Sequence, residues 1–384
     1  MMKKIIIPLC ICLMLCGCGN YSEIEDAIMV SGMAVDKGEH DNYKVTVEIV
    51  NLNQGEGEPP SAMLISGEGP TVYSALENIN AATSKELFFS HARVISISEE
   101  IAKEGLIDII DVIVRDNELR ITNDVVVAQG CEGAKLFTLT DSGNPIRSYE
   151  IADLLENESN VVSVVPRVRV FELINIIGSS GVSAILPAFN YSESEQGNSL
   201  TVSGAAVFKG DKLDGFLDTR QSKIMSVVQG QTGEGIISQP IKTETREYMT
   251  VKIFESKTKV KHREKNGKAV MDVNINMVVG INELTAKENI MNETGRRELI
   301  KKLENSIKND VEMFIGEMQE KKTDVFGFGE RIYKQNPELW EKLRKTDYLP
   351  GIEVNTVVKV SLRGTGFIAK SPSSEDFRMA ESET

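Results

Sequence analysis

The sequence predicts an α+β fold whose sheets are flanked by helices. Runs of alternating apolar and polar residues, typical of half-buried strands, recur along the chain together with helical apolar spacing. Asn266-Gly267 separates two long strand-like runs, and this dipeptide is a strong hairpin signal. Residues 294–321 then carry one apolar stripe at helical spacing. We therefore expect a C-terminal long hairpin packed on a long amphipathic helix.

The first residues have the three parts of an export signal. Lys3 and Lys4 precede an apolar run at 5–15, which is shorter than the roughly 20 residues that a bilayer-spanning helix needs. The run ends in Leu-Cys-Gly-Cys, the pattern that precedes and includes the lipidated cysteine of bacterial lipoproteins. We predict a signal peptide at 1–17 and a lipid on Cys18. The alternative is an ordinary signal peptide with a chance cysteine.

The composition narrows the class of protein further. The formal net charge is −14, and no basic stripe is present, which argues against nucleic-acid binding. An acidic body is not attracted to an anionic lipid surface, so the lipid on Cys18 has to supply the anchor. Three of the other cysteines lie in the signal, so Cys131 is alone in the processed chain and no internal disulfide is expected. We expect Cys131 to be a half-buried structural thiol.

Polar, glycine-containing stretches at 192–198 and 229–239 divide the body of the chain into three mixed α/β domains. The predicted division is a linker at 18–27, an N-terminal domain at 28–191, a small middle domain at 199–240, a C-terminal α+β domain at 246–370 and a flexible tail at 371–384.

The periodicities place the elements in order. Val45, Val47 and Ile49 alternate with polar residues as in a half-buried strand at 43–52. Ser98 is a good N-cap for a helix that is expected to reach Asp116, with Gly105 as a weak point inside it. The other predicted strands are 28–36, 93–97, 125–128, 184–191, 200–208, 212–217, 247–262, 268–281 and 352–362. The other predicted helices are 71–83, 147–158, 168–177, 222–229 and 294–321.

The sequence offers no catalytic, metal or cofactor motif. The three histidines have no metal-ligand spacing. The glycine-rich stretch at 230–235 has no lysine and follows no strand, so it is no phosphate loop, and 178–181 does not match a nucleophile elbow. We therefore expect a protein that is not an enzyme and that has no metal and no cofactor.

Two dense polar motifs remain as candidate sites. Ser-His-Ala-Arg leads into the strand at 93–97, and we expect His91 to be a hydrogen-bonded structural side chain rather than a ligand. The second motif closes the helix that starts at Ser98, and either it is a solvated, self-paired helix end or it faces a partner protein. Its charged members are Arg115, Asp116, Glu118 and Arg120, and the first motif ends in Arg93.

The segment 324–340 is predicted to be a structural clasp between the long helix and the final strand. Its glycines permit tight turns, and Trp340 can bury a large apolar area. The alternative is that Trp340 projects outward and contacts a partner.

A set of short motifs occurs in a fixed order along the chain. They are Cys18, Glu23-Ile24, residues 27–36, Ser90-His91-Ala92-Arg93, Arg115-Asp116-x-Glu118-x-Arg120, residues 324–329, Asn336-Pro337-x-x-Trp340, residues 354–360 and Gly364-Thr-Gly366. In this order they resemble the Ger(x)C family, the C subunits of spore germinant receptors. The resemblance covers nearly the whole processed chain, but Gly19-Asn20-Tyr21 stands where the family often has Trp-Asp, and Trp340 is the only tryptophan where a second is common.

The resemblance implies a non-catalytic lipoprotein that is needed for germination in response to nutrients. In the family this subunit lies on the outer face of the cell or spore inner membrane and acts with two integral membrane receptor subunits, of A type and B type. The fold implied is a three-domain mixed α/β arrangement. The alternative is a lipid-anchored solute-binding protein of a transporter, which the long hairpin and the single long helix disfavour.

Overall fold

Two β-sheets organise the chain, one of nine strands and one of four among the residues described. Cys18, Asn117 and the Gly-Thr-Gly motif at 364–366 lie outside those residues. The computed structural model describes residues 27–51, 60–116, 118–138, 144–157, 165–193, 197–232, 234–242, 247–285 and 293–363.

The larger sheet is mixed, with the strand order β3-β2-β1-β5-β6-β7-β8-β9 and the short β4 paired to β1. Its centre, β1-β5-β6-β7, is parallel, and antiparallel strands flank it on both sides. Its strands are β1 Ala27–Lys37, β2 Tyr43–Asn51, β3 Ser61–Gly69, β4 Glu86–Phe88, β5 Val94–Ser98, β6 Asp124–Ala128, β7 Ile185–Ser192, β8 Ser199–Lys209 and β9 Lys212–Leu217.

Helices cover both faces of this sheet because its strands are apolar on both sides. Met33 and Val35 belong to a core shared with four helices, whereas Ala34, between them, belongs to a core shared with the fifth. The first four are α1 Val72–Ala82, α2 Glu99–Glu104, α3 Ile107–Arg115 and α5 Val170–Ile177, and the fifth is α4 Arg147–Asn157.

The smaller sheet has the order β10-β11-β12-β13 and carries the predicted long hairpin. Asn266 and Gly267 both have positive φ, as a two-residue hairpin turn requires, and they join strands paired from Lys265 and Lys268 onward. Its strands are β10 Gly235–Lys242, β11 Glu247–Lys265, β12 Lys268–Leu284 and β13 Glu353–Leu362. Its helices are α6 Thr219–Gln229, α7 Glu293–Lys321, α8 Phe328–Gln335 and α9 Pro337–Leu343.

The predicted packing of the hairpin on the long helix is confirmed. The apolar stripe of α7 is buried in one core with the inward side chains of β11, β12 and β13. The members of that stripe are Leu299, Leu303, Ile307, Val311, Phe314 and Met318. The α+β fold class is likewise confirmed.

One local prediction is wrong, and the sequence patterns do not predict strands β3 and β10. The helix expected from Ser98 to Asp116 is two helices, because the amide of Leu106 is diverted to the carbonyl of Asp211 in the β8–β9 turn, 3.0 Å away. The soft boundary expected at 229–239 contains the start of β10, whose pairing with β11 overrides a glycine-rich and glutamine-rich composition. β3 was also missed, because its apolar residues do not alternate cleanly.

The hairpin of the predicted middle domain does not form a sheet of its own. β8 pairs with β7 and so extends the larger sheet, while α6 packs into the core of the hairpin and α7. The division into three domains therefore remains a prediction.

In the part of the chain that the structure describes, no helix is both long enough and apolar enough to cross a membrane. Within the same residues, no group of His, Cys, Asp and Glu side chains could hold a metal ion. Cys131 is a half-buried free thiol, and burial raises its pKa.

Candidate functional site: an arginine-lined pocket

A pocket of about 280 Å³ opens at the amino ends of β5 and β6. These strands are parallel, with Val94 opposite Asp124, so the segments that enter them lie side by side although they are about 30 residues apart. Both predicted motifs contribute to it, one through His91 and Arg93 and the other through Arg120. The complete lining is Ser90, His91, Ala92, Arg93, Arg120, Thr122, Asn123, Tyr149 and Arg167.

The pocket is basic, in contrast to the chain as a whole. Three of its lining residues are arginines and none is acidic, whereas the formal net charge of the chain is −14. A concave surface that gathers one sign of charge concentrates the field there and attracts a group of the opposite sign. The geometry therefore suits an anionic group, and planar guanidinium groups pair well with carboxylates.

The three arginines differ in how far their charge is already neutralised. Arg167 forms two hydrogen bonds, of 2.6 and 2.7 Å, to the buried carboxylate of Asp124, so it is fixed and largely neutralised. The Nη1 atom of Arg93 lies 3.2 Å from the Oδ1 atom of the exposed Asp153. The Arg93 guanidinium carbon is 5.5 Å from the centroid of the Tyr149 ring. Arg120 is exposed, and no described carboxylate pairs with it. Arg120 is thus the arginine that is open to a new anion.

His91 departs from its predicted environment. Its imidazole is exposed and makes no hydrogen bond among the described residues, so the expectation of a hydrogen-bonded structural side chain is wrong. Only its backbone carbonyl is engaged, accepting from the hydroxyl of Tyr149 at 3.4 Å. The short 3-10 turn that contains His91 puts the ring at the surface, 6.4 Å from the ring of Phe88.

The Arg115-to-Arg120 motif is divided between two surfaces. Arg115 lies on α3 and pairs with Asp111 one turn earlier, at 2.7 Å, rather than with Asp116 or Glu118 as expected for a self-paired helix end. Asp116 accepts the backbone N–H of Glu118 at 2.9 Å. Burial raises the pKa of Glu118, and the negative charges of Asp116, Glu86 and Glu77 raise it further. Arg120 alone reaches the pocket.

Sequence reasoning missed Thr122, Asn123, Tyr149 and Arg167. Tyr149 comes from α4 and Arg167 from the segment before α5, both far along the chain from the two motifs. The sequence carries no spacing that joins them, since strand pairing and the packing of α4 bring them together. The one local signal is Arg167-Val168-Arg169, in which alternation with an apolar residue marks an extended, partly buried segment.

The segment 324–340 forms a closed structure around Asp324. This buried carboxylate accepts the backbone N–H groups of Phe326, Phe328 and Gly329 at 3.1, 3.1 and 2.8 Å. It also accepts the hydroxyl of Tyr348 at 2.8 Å. Desolvation outweighs these donors and raises the pKa of Asp324.

Trp340 packs against Tyr348 and Gly329, two of the residues that donate to Asp324. Its indole is 3% exposed and packs edge-to-face on Tyr348, with 5.0 Å between ring centroids. A side chain on Gly329 would meet the Trp340 ring and the backbone of Gly181 within 2.7 Å, so the packing requires glycine there. This geometry favours the structural interpretation of Trp340. We use the name clasp for Asp324 to Trp340 together with Tyr348.

Two family models match most of the chain. The family model described as the spore germination protein N-terminal domain matches residues 20–191, and the one described as spore germination B3/GerAC like, C-terminal, matches residues 203–366. The chain belongs to the Ger(x)C family. The pocket lies within the first matched region of this Ger(x)C chain, and the clasp lies within the second.

Individual relatives match over nearly their whole length. The chain is 22% identical to spore germination protein KC of Bacillus subtilis (strain 168), over 94% of this chain and 95% of the relative. It is 26% identical to spore germination protein A3 of the same organism, over 95% and 98%. Its fold resembles that in the crystal structure of the GerBC protein, with a TM-score of 0.55 and 22% identity over 87% of this chain and 97% of that one.

Proposed function

We propose that this Ger(x)C chain is the lipid-anchored, non-catalytic C subunit of a nutrient germinant receptor at the spore inner membrane. Its partners are two integral membrane subunits, of A type and B type. The match of both family models, which together extend from residue 20 to residue 366, is the observation that carries this proposal. The relatives named as spore germination proteins A3 and B3 support it.

The anchor is the lipid on Cys18, as the signal-like first residues predict. We expect Cys18→Ala to leave the protein unprocessed or to shift it to the soluble fraction, because the lipid supplies the apolar contact with the membrane. Fractionation of cells that lack the two membrane subunits measures this. Cys16→Ala is the matched control and should stay in the membrane. A Cys18→Ala protein that remains there at full level would contradict the anchor.

We propose that the arginine-lined pocket binds an acidic side chain of one membrane subunit. Arg120 supplies the open guanidinium, Arg93 lies beside it, and Arg167 is held in place by Asp124. A carboxylate that enters such a pocket gains charge-assisted, paired hydrogen bonds. Because the rest of the chain is acidic, this pocket also gives the contact a defined position and orientation.

The test compares Arg120→Glu with Arg115→Glu in spores. The two arginines come from one motif, but Arg115 is 77% exposed, paired with Asp111 and outside the pocket. We expect Arg120→Glu to leave the protein level and its melt unchanged, to reduce the membrane subunits that co-purify with it, and to weaken the nutrient response. Arg115→Glu should resemble the wild type. Equal effects of the two reversals, or a normal response with Arg120→Glu, would reject the pocket as the contact.

A further inference from the structure

A second cavity, of about 360 Å³, lies between α6, the edge strand β10 and the long helix α7. It is far in sequence from the arginine-lined pocket, and it shares no lining residue with that pocket. Its volume lies within the range of small-molecule sites. Its lining is Thr219, Arg220, Lys223, Ile224, Val227, Ile236, Ile237, Ser238, Gln239, Ile307, Asp310 and Val311.

One end of this cavity is polar and ordered. The nearly buried Asp310 accepts from Arg220 at 2.6 Å through one oxygen and from Gln239 at 2.9 Å through the other. Gln239 in turn accepts the hydroxyl of Ser306 at 2.7 Å. The side chain of Arg220 is 63% exposed, and this bond to Asp310 is the one hydrogen bond described for it. The network therefore orients a guanidinium whose remaining donors are available.

The walls are apolar and come from all three elements. Val227 and Arg220 both line the cavity from α6, seven residues apart, which is roughly 10 Å along a helix axis. The polar group at Arg220 and the apolar wall at Val227 thus mark two separate ends. The other branched aliphatic side chains of the wall are Ile224, Ile236, Ile237, Ile307 and Val311.

We infer that this cavity binds a small amphipathic acid, a carboxylate that carries a short branched carbon chain. The carboxylate lies at Arg220, and the chain lies among the isoleucines and valines. The exposed guanidinium of Arg220 has donors beyond the one that Asp310 accepts, and these donors favour an anionic head. A cationic head would have to compete with Arg220 for Asp310.

The experiment uses the full lipidated chain in phospholipid nanodiscs and isothermal titration calorimetry near neutral pH. The probes are 3-methylbutanoate, 3-methylbutan-1-ol and 3-methylbutylammonium, which share one carbon chain and differ in the charge of the head. We expect saturable binding of 3-methylbutanoate at one site per chain, an affinity at least about tenfold lower for the alcohol, and no binding of the amine. No saturable binding of 3-methylbutanoate, or equal binding of the amine, would overturn the inference.

Two variants test whether 3-methylbutanoate binds in this cavity. Arg220→Gln should weaken 3-methylbutanoate binding at least about tenfold, while Arg344→Gln, outside the cavity lining, should not change it. Ile224→Phe should fill the cavity and abolish binding while the protein still melts at or above the wild-type temperature. If Arg220→Gln does not fold, Ile224→Phe decides, and a folded Ile224→Phe protein with unchanged binding overturns the assignment. Neither result bears on the membrane-subunit contact at Arg120.

Discussion

The arginine-lined pocket and the clasp both contain residues of the dense sequence motifs, but their polar groups differ in how far they are buried and paired. In the clasp, the Asp324 carboxylate has four donors around it and is closed off by Trp340. In the pocket, Arg120 is exposed and has no described acidic partner. A buried polar group needs hydrogen-bond partners within the fold, because leaving it unpaired is costly. An exposed polar group can instead pair with another molecule.

The contrast teaches that motif density does not by itself separate structural from functional residues. The two kinds of residue differ here in whether their polar groups already have hydrogen-bond partners within the fold. Even within the pocket, Arg167 resembles the clasp residues, because its bidentate pair with the buried Asp124 is complete. Arg120, by comparison, has the properties of a contact residue.

Trp340→Ala should lower the free energy of unfolding by about 3–5 kcal/mol, because truncation of a buried aromatic ring leaves a cavity. Chemical denaturation of the full chain measures the loss. Tyr333→Ala is the matched control, since Tyr333 on the neighbouring α8 is 50% exposed and should cost less than about 0.5 kcal/mol. An unchanged melt of Trp340→Ala, together with loss of the receptor complex, would replace the clasp by a partner contact.

Tyr348→Phe should cost about 1–3 kcal/mol, because it removes a donor from the buried Asp324. The pKa of Asp324 is raised in the folded state, so its contribution to stability is full below the unfolded pKa and is lost as the pH rises through the folded value. Loss of the Tyr348 hydroxyl raises that pKa further, so the variant should be more destabilised at alkaline than at acidic pH.

Denaturation curves of wild type and variant across pH measure this dependence. Tyr248→Phe serves as the control, because Tyr248 is 46% exposed. A cost of Tyr348→Phe that is the same at every pH, or larger at acidic pH, would show that the hydroxyl does not stabilise the ionised Asp324.

Arg120→Ala should change the free energy of unfolding by less than about 0.5 kcal/mol, because an exposed side chain without an ion pair loses little. Arg167→Ala is the contrast within the same pocket. It should cost about 3 kcal/mol or more, since it leaves the buried Asp124 without its counter-charge. Comparable losses for the two arginines would remove the distinction between structural and available charge.

Much of the architecture could be predicted from the sequence. The hairpin at Asn266-Gly267, the stripe of α7 and most of the strands depend on residues within a few positions of one another, so periodicity and turn chemistry were sufficient. The family could also be inferred, because its motifs recur in a fixed order along the chain. Gly105 indicated a weak point inside the predicted helix, but the bond from Leu106 to Asp211 and the pairing of strand β10 depend on distant segments, so the sequence did not predict them.

The same distinction between local and distant contacts applies to the arginine-lined pocket. The sequence by itself determined that His91, Arg93 and Arg120 are present, and that Arg120 follows Arg115 by five residues. Only the tertiary structure decided that Arg115 stays on α3 with Asp111 while Arg120 joins Arg93, Tyr149 and Arg167. The physical reason is that a motif fixes residues along one segment, whereas a pocket needs several segments. Here the parallel pairing of β5 with β6, and the helix packed beside them, brought those segments together.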